Sequence, residues 1–469
     1  MSENKSQAEV LKEQLYLDYK HLAKKMEDDE IKLADQFCEG YKKFLDNAKT
    51  EREAVRTVVK MATEKGFIPF EPKTNYQPGT KVFYVNREKA VILAVIGKLP
   101  VSEGVHMCAA HIDSPRLDLK PNPLYEDAEF AMFKTHYYGG IKKYQWTAIP
   151  LSLHGRIVKK DGGIVDVSIG EDDNDPVFCV TDLLPHLAAE QMKRPLAEAI
   201  KGEELNILIG SRPFKDDKGS ELVKLNILKM LNEKYGIIEA DFLSAELELV
   251  PAFKARDLGF DRSLIGAYGH DDRVCAYPAM MAALDCGIPD YTAVTVLTDK
   301  EEIGSDGNTG LNSAYLKYFI SDLADAQSAR LYEVLTKSEC LSADVNAGFD
   351  PNYPDVSERR NCAYLNKGVV VTKYTGARGK SGTSDASAEY MGRVRRMFDD
   401  AGVDWQIGEL GKVDAGGGGT VAMYIANMNV DVVDVGVPVL SMHAPFEVVA
   451  KLDVYMAYKA FMAFFKSDN

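Results

Sequence analysis

The sequence predicts an α/β fold whose main sheet is flanked by helices and interrupted by a β-rich insertion. Three observations predict it: helical spacing near the N-terminus, apolar strands alternating with helices toward the C-terminus, and short strands with polar turns in between. A chain of 469 residues is longer than one core usually supports, so two domains are expected. One is expected to be formed by two sequence segments, residues 1–114 and 251–469, and the other by residues 115–250, with boundaries good to about ten residues.

The first segment, residues 1–114, is expected to begin with helices and to continue with strands. Helical spacing covers LKEQLYLDYKHLAKKM (11–26), IKLADQFCEGYKKFLDNA (31–48) and TEREAVRTVVKMATEKG (50–66), the last closed by Gly66. After Pro69 and Pro72, KVFYVN and KAVILAVIG predict two strands joined by a hairpin turn at Asn86 and Arg87, and GVHMCAAHID predicts a third strand.

The middle segment, residues 115–250, is expected to contain mainly short strands and polar turns. Short strands surround a Lys-Lys-Asp-Gly-Gly turn at 159–163, which is typical of a β-rich insertion. Two helices are expected within it, at PHLAAEQ (185–191) and LNILKMLNEKYG (225–236).

From about Ala252 the alternation returns, so the insertion divides one α/β unit into two sequence segments. The elements expected in the second segment are, in order, a helix at YPAMMAALDC (277–286), a strand at YTAVTVLTD (291–299), a helix around LNSAYLKYFISDLADAQ (311–327), a strand at GVVVTKY (368–374), a helix at SAEYMGRVRRMFDDAG (387–402), and the apolar runs VAMYIA (421–426) and VDVVDVGV (430–437).

Composition excludes several classes of function. A formal net charge of -15 argues against binding to nucleic acid or to anionic membranes, which need a basic face. No run of 18 or more apolar residues occurs, and the N-terminus lacks an apolar signal core, so cytoplasmic residence is expected. The seven cysteines are scattered without a CxxC pair, which favours reduced thiols and argues against a thiolate zinc site.

Five short motifs contain a set of histidines and carboxylates suited to metal binding. They are His111 and Asp113 in AAHIDSPR, Asp271 in GHDDRV, Glu301 and Glu302 in TDKEEIGSDG, Asp344 in SADVN, and His443 in SMHAP. Two divalent ions need about four ligands each, and a hydrolase must leave positions open for water and substrate. The set therefore predicts the centre of a two-metal hydrolase.

The spacing suggests a role for each residue. His111 and Asp113 lie two apart at a strand end, so Asp113 is expected to accept the second N–H of a metal-binding imidazole. Glu301 and Glu302 follow the strand TAVTVL, where Glu302 is expected to bind metal and Glu301 to act as general base.

Asp271 precedes a helix, and its two oxygens would bridge both ions. Asp344 and His443 complete the predicted ligand set.

Each motif also has a simpler structural interpretation. His443 alone is more typical of a hydrogen-bonded structural histidine, and Asp344 or Asp271 would serve as a helix or turn cap. Glu301 and Glu302 alone would be a solvated turn. Their joint occurrence after strands favours the metal centre. His106, His136 and His154 lie in strand-like segments without a neighbouring carboxylate, so no site role is expected for them.

The ordered motifs AAHIDSPRLDLKP, the D-D-R after Gly269 and His270, KEEIGSDG, SADVNAGFDPNY and VPVLSMHAPFEVVAKLDVYMAYKAF resemble the aspartyl aminopeptidase family, which is related to the tetrahedral aminopeptidases. The resemblance runs from about residue 75 to the C-terminus. It implies a dinuclear exopeptidase, with zinc favoured over cobalt or manganese. It also implies a catalytic α/β domain interrupted by a β-rich dimerisation domain, and a homo-oligomer, a dodecamer built of dimers.

Carried over residue by residue, the resemblance makes His111, Asp271, Glu302, Asp344 and His443 the metal ligands, Glu301 the base and Asp113 its supporting aspartate. It also implies that His186, in the PHLA segment, reaches the active site of a neighbouring subunit and stabilises the oxyanion. The sequence departs from eukaryotic members after the SAD motif, where Asn346 and Asp350 replace histidines.

A preference for acidic N-terminal residues would need a basic side chain, for which RGKSGTSD offers Arg378 and Lys380. A solvated turn is the other interpretation of that loop. The glycine run in VDAGGGGTVAMY is expected either to approach the substrate closely or to form a packing loop.

We therefore expect a metal-dependent aminopeptidase that acts on peptides with a free N-terminus, through a metal-bridged hydroxide with Glu301 as general base. The alternatives are another dinuclear hydrolase, such as a carboxypeptidase or deacylase, and a non-catalytic metal-binding assembly protein. A serine or thiol hydrolase is disfavoured because no GxSxG motif occurs.

Overall fold

The structure is a computed structural model that describes residues 5–216 and 218–468. Its helices are α1 (Gln7–Leu15), α2 (Asp28–Asn47), α3 (Glu51–Glu64), α4 (Leu222–Tyr235), α5 (His270–Asp285), α6 (Tyr315–Ala326), α7 (Leu331–Thr336), α8 (Ala388–Asp400), α9 (Ala422–Ala426) and α10 (Lys451–Lys466).

The strands, in chain order, are β1 (Ile68–Pro69), β2 (Lys81–Asn86), β3 (Ala90–Val95), β4 (Val105–His111), β5 (Arg116–Asp127), β6 (Phe130–Tyr138), β7 (Leu151–Val158), β8 (Ile164–Ile169), β9 (Cys179–Val180), β10 (Ile207–Gly210), β11 (Ala245–Pro251), β12 (Arg256–Leu258), β13 (Leu264–Ala267), β14 (Thr292–Thr298), β15 (Glu339–Ser342), β16 (Asn346–Ala347), β17 (Val369–Thr372), β18 (Trp405–Ile407), β19 (Asp431–Gly436), β20 (Pro438–Val439) and β21 (Glu447–Ala450).

The main sheet has the strand order β1-β2-β3-β14-β4-β15-β19-β17-β18. Its central strands β14, β4, β15 and β19 are parallel to one another, while β3 and β17 pair antiparallel with this group. Because parallel strands end at the same edge, the segments after β4, β14 and β15 emerge side by side. The α/β class predicted from the sequence is confirmed.

Both faces of the main sheet are covered. Strand β3 is buried along its whole length, which is typical of a central strand between two layers of helices. Its alternate residues belong to two apolar clusters: Val91, Leu93 and Val95 face one, and Ile92 and Ala94 face the other. Helices α2, α3, α5 and α10 contribute to the first cluster, and α6 and α7 to the second.

A second sheet lies within the region predicted to be β-rich. Its strand order is β8-β7-β11-β5-β6-β10-β9, and its neighbouring strands are antiparallel. It has its own apolar cluster, which includes Phe133, Trp146 and Leu249 and packs against Leu228 and Leu231 of α4.

Local sequence signals explain several element boundaries. Thr50 caps α3, and Glu53 returns a side-chain bond to the Thr50 amide, so both ends of a capping box are present. Arg87 and Glu88 have positive φ between β2 and β3, as a tight hairpin turn of this hand requires. The predicted hairpin is therefore present, with its turn centred one residue later.

Two segments differ from the expectation. The helix expected at 11–26 ends at Leu15, because no residue of α1 is buried and nothing stabilises its extension. PHLAAEQ forms turns instead of a helix, because its largest apolar side chain, Leu187, is exposed and gains nothing from packing. Of the two apolar runs near the C-terminus, VAMYIA contains the short helix α9 and VDVVDVGV contains β19.

Within the described residues, no helix is both long enough and apolar enough to cross a membrane.

Candidate metal centre

Three of the predicted site segments meet at the carboxyl edge of the main sheet. His111 ends β4 and lies opposite Thr298, the last residue of β14. Glu301 and Glu302 begin a short 3-10 turn just after β14, and Asp344 follows β15, which pairs with the other side of β4. Adjacent parallel strands therefore bring these side chains together.

The other two predicted ligands arrive from a smaller sheet. Asp271 lies in the first turn of α5, after β13, and His443 lies just before β21. Strands β13 and β21 pair antiparallel, so the two segments leave the same ladder side by side.

Five side chains form two overlapping groups whose ligand atoms lie close enough together to hold a metal ion. Ligand atoms of His111, Asp271 and Asp344 lie within 4.8 Å of one another, and so do those of Asp271, Glu302 and His443. Asp271 belongs to both groups: its Oδ1 is 3.1 Å from His111 Nε2, and its Oδ2 is 3.2 Å from His443 Nε2. One carboxylate thus offers an oxygen to each group.

Both histidines are oriented by backbone carbonyls. His111 Nδ1 lies 3.0 Å from the carbonyl oxygen of Asp113, and His443 Nδ1 lies 2.7 Å from that of Gly140. A carbonyl can only accept, so each Nδ1 carries the hydrogen and each Nε2 faces the acidic cluster. This arrangement is typical of metal-binding histidines.

Asp113 holds the two glutamates through their backbone. Its Oδ1 accepts from the Glu301 amide at 3.1 Å, and its Oδ2 accepts from the Glu302 amide at 3.3 Å and from Tyr138 Oη at 2.7 Å. The expected contact of its carboxylate with His111 Nδ1 is 3.4 Å, longer than the carbonyl contact. Asp113 therefore orients His111 mainly through its carbonyl group.

The cluster concentrates negative charge in a buried place. Burial, together with the nearby Asp271, raises the pKa of Glu302 well above its usual range, and burial raises the pKa of Glu301 to about 7. Despite burial, the Asp271 carboxylate raises the pKa of His443 to about 10. Glu302 Oε1 is buried without a hydrogen-bond partner among the described atoms. Divalent cations would neutralise this charge and satisfy that oxygen, so the donor set fits them.

The cluster opens into a cavity of about 460 Å³. Its walls include the apolar side chains Leu410, Met423 and Met442 and the backbone of glycines 417–419. Gly417 has φ +109, and a Cβ there would lie 2.5 Å from Ala377 Cα, so the glycine run both lines the cavity and packs closely.

The three residues predicted to contact the substrate or its oxyanion, Arg378, Lys380 and His186, do not line this cavity in the described chain. Arg378 and Lys380 are exposed, and Lys380 Nζ pairs with Asp385 at 2.9 Å. His186 is exposed, so its predicted role, which needs a second subunit, stays a prediction. Sequence reasoning missed Tyr138 and Gly140, whose positions at and just after the end of β6 gave no signal of chemistry.

The chain is similar to a known family of metalloproteases. Residues 44–465 match the family model described as aminopeptidase I zinc metalloprotease (M18). The chain is 51% identical over 458 residues to a probable M18 family aminopeptidase 1 of Clostridium acetobutylicum, covering 96% of this chain and 98% of the relative. It is 46% identical over 433 residues to one of Thermotoga maritima, covering 91% and 95%.

Solved structures show the same likeness. A crystal structure of an M18 aminopeptidase from Thermotoga maritima matches with a TM-score of 0.91 and 44% identity, over 96% of this chain and 99% of that one. The aminopeptidase I structure from Clostridium acetobutylicum matches with a TM-score of 0.91 and 47% identity, over 97% and 100%. The chain therefore belongs to the M18 family of zinc metalloproteases and is a metal-dependent aminopeptidase.

Proposed function

We propose that this chain binds two divalent ions at the cluster and removes the N-terminal residue of peptides with Glu301 as general base. His111, Asp271 and Asp344 would hold one ion, and Asp271, Glu302 and His443 the other. The observation that carries the proposal is the shared carboxylate, whose oxygens lie 3.1 and 3.2 Å from two separate imidazoles. Zinc is proposed as the native ion, with cobalt or manganese as alternatives.

The bound ions would supply Lewis-acid chemistry, polarising the scissile carbonyl and lowering the pKa of a water molecule. Glu301 would accept the proton of the attacking water and deliver it to the departing amine. Its Oε2 lies 3.8 Å from His111 Nε2, beside the ligands, and its side chain lines the cavity. Asp113 would keep it there through the Glu301 amide.

The lining of the cavity suits a substrate with a neutral N-terminal residue better than one with an acidic N-terminal residue. No lysine or arginine lines it among the described residues, while Leu410, Met423 and Met442 do. A substrate carboxylate would lack a charge partner there and would lie close to the buried acids of the metal centre.

We also propose the organisation expected from the sequence. The units would be a catalytic domain formed by 1–114 and 251–469 and a dimerisation domain formed by 115–250, with His186 serving a neighbouring subunit of a homo-oligomer. Exposed apolar side chains in this insertion support an interface: Leu183, Leu184, Leu187, Met192 and Leu196. Light scattering on a Leu184→Asp, Leu187→Asp variant should report a smaller assembly. An unchanged mass would contradict this interface.

A substrate panel tests the proposed activity. Aminoacyl chromophores with acidic, basic and apolar residues, and an N-acetylated control, are offered to the apoenzyme and to enzyme supplied with zinc, cobalt or manganese. We expect metal-dependent release from free amines only, fastest for apolar residues. Hydrolysis of the acetylated control would favour a deacylase. Equal rates with and without added metal would contradict the proposed metal-dependent mechanism.

A further inference from the structure

Glu447 is a buried carboxylate that lies between two ligand-bearing segments. It begins β21 and is 1% exposed. Its Oε1 accepts the backbone N–H of His443 at 2.8 Å, and its Oε2 accepts that of Asp271 at 3.1 Å. One side chain thus contacts the backbone of two predicted ligands that are far apart in sequence.

The pairing of β13 with β21 explains this position. Glu447 lies opposite Ala267, the last residue of β13. The chain continues from Ala267 to Asp271 on one side, and His443 lies four residues before Glu447 on the other. The Glu447 side chain therefore stands where both ligand segments meet the ladder.

Each carboxylate oxygen of Glu447 accepts one of these backbone amides, so the carboxylate is held by two backbone hydrogen bonds. Hydrogen bonds from N–H groups to a carboxylate are stronger than those to a neutral acceptor. His443 also has φ +65, a conformation that non-glycine residues adopt at a cost and keep only where the surroundings hold them. The bond to Glu447 is one such restraint.

The other side of Asp271 is held as well. Ser114 Oγ donates to the Asp271 carbonyl oxygen at 2.6 Å. With the Asp271 amide bonded to Glu447, the backbone of this residue is fixed at both of its polar groups. Its carboxylate, which faces both histidines, is thereby fixed in position.

We infer that Glu447 is a positioning residue of the metal centre, which sets Asp271 and His443 at the separation that a divalent ion requires. The inference rests on the proposed function, in which both residues are ligands. Asp113 has the matching arrangement for Glu301 and Glu302, so each carboxylate joins two site residues through their amides. Glu447 has no contact with Glu301 in the described structure, so its effect should fall on metal affinity before it falls on turnover.

Asp453 provides a matched control. It is also a fully buried carboxylate, and it accepts two backbone amides, those of Asn366 at 2.6 Å and Gly368 at 2.9 Å. Neither partner belongs to the metal centre. Asp453→Asn and Glu447→Gln therefore each replace a buried carboxylate that accepts two backbone amides. The first lies away from the site and the second lies within it.

The test measures zinc retention by the full-length, zinc-loaded protein in competition with a chelating dye. We expect Glu447→Gln to bind zinc about 10–100-fold more weakly than wild type, as loss of a group that orients metal ligands usually does. Asp453→Asn should retain wild-type zinc affinity. At saturating zinc, the kcat of Glu447→Gln should approach that of wild type.

Three results would overturn the inference. Unchanged zinc affinity in Glu447→Gln would refute the positioning role, and equal weakening in Asp453→Asn would assign the effect to general loss of stability. A wild-type protein that binds no zinc would refute the proposed function and the inference with it. If Glu447→Gln does not fold, as judged by circular dichroism, Glu447→Asp serves instead, since its shorter side chain cannot reach both amides.

Discussion

Tyr138 donates its phenol hydrogen to Asp113 Oδ2 over 2.7 Å, joining the second sheet to the metal centre. Tyr138 ends β6, and the guanidinium of Arg116 stacks 4.0 Å from its ring. Two residues later, the carbonyl of Gly140 accepts from His443 Nδ1. The end of one strand of the second sheet therefore restrains both the glutamate pair, through Asp113, and one of the histidines.

Tyr138→Phe removes this donor and leaves the ring. Asp113 would lose one of the hydrogen bonds to its buried carboxylate, at a cost of about 1–3 kcal/mol in the free energy of unfolding. Its hold on Glu301 and Glu302 would loosen, and we expect kcat to fall at least about tenfold. Steady-state kinetics on a free-amine substrate measure this loss. Tyr390→Phe is the control, since Tyr390 Oη donates to the Cys340 carbonyl away from the site. Equal losses of activity in the two variants would contradict the role of Tyr138.

Glu301→Gln separates chemistry from metal binding. The amide has nearly the shape of the carboxylate but cannot accept a proton, so turnover should fall by about 10²–10⁴-fold while the zinc content stays that of wild type. Elemental analysis and kinetics on the same preparation check both halves. Wild-type activity would show that Glu301 is not the base, and loss of zinc would show that it is a ligand.

His443→Ala should lose metal. Its Nε2 lies 3.2 Å from Asp271 Oδ2 and 3.5 Å from Glu302 Oε2, so the imidazole is central to one of the two groups. We expect about one zinc ion per chain instead of two after gel filtration. His21→Ala, which changes a histidine that caps a 3-10 turn near the N-terminus, should retain both ions. Full zinc occupancy in His443→Ala would refute the ligand assignment.

His154 should make stability depend on pH. It is buried between Glu53 at 2.7 Å and Glu171 at 3.1 Å, and Lys49 also pairs with Glu171. Burial opposes its charge, but the two carboxylates raise its pKa from 6.5 to about 9. Because the folded state holds the proton more tightly, this stabilisation is complete below pH 6.5 and is lost as pH rises through 9.

The pKa difference corresponds to roughly 3 kcal/mol. Urea unfolding of wild type and His154→Gln between pH 6 and pH 10 isolates this contribution. The difference in free energy between the two proteins should shrink as pH rises. A difference that is constant or grows with pH would contradict the assignment.

The sequence allowed prediction of where those candidate site residues lie that come next to a strong strand signal. His111 ends a continuous apolar strand, and Glu301 and Glu302 follow another, so their placement at one sheet edge followed from parallel topology. Asp271 and His443 were proposed from residue type, although the β13 and β21 ladder that joins their segments was not foreseen.

The residues that support the site could not be predicted in the same way. Tyr138 and Glu447 act on backbone amides or on another side chain across long sequence separations, and such contacts leave no local pattern. The expectation that His154 has no carboxylate partner was wrong for this reason, because Glu53 lies on α3, 101 residues earlier in the chain. Helix α1 ends earlier than its apolar spacing suggested. The spacing indicates an apolar helix face, but it does not show whether another part of the chain packs against that face.

Titration of the apoenzyme with zinc, with hydrolysis of a leucyl chromophore recorded at each addition, tests the central claim most directly. The account predicts no turnover without metal, activity that reaches its plateau near two zinc ions per chain, and no reaction with the N-acetylated substrate. Full activity in the metal-free protein, or a plateau reached at one ion with no further binding, would contradict a two-metal aminopeptidase centre built on His111, Asp271, Glu302, Asp344 and His443.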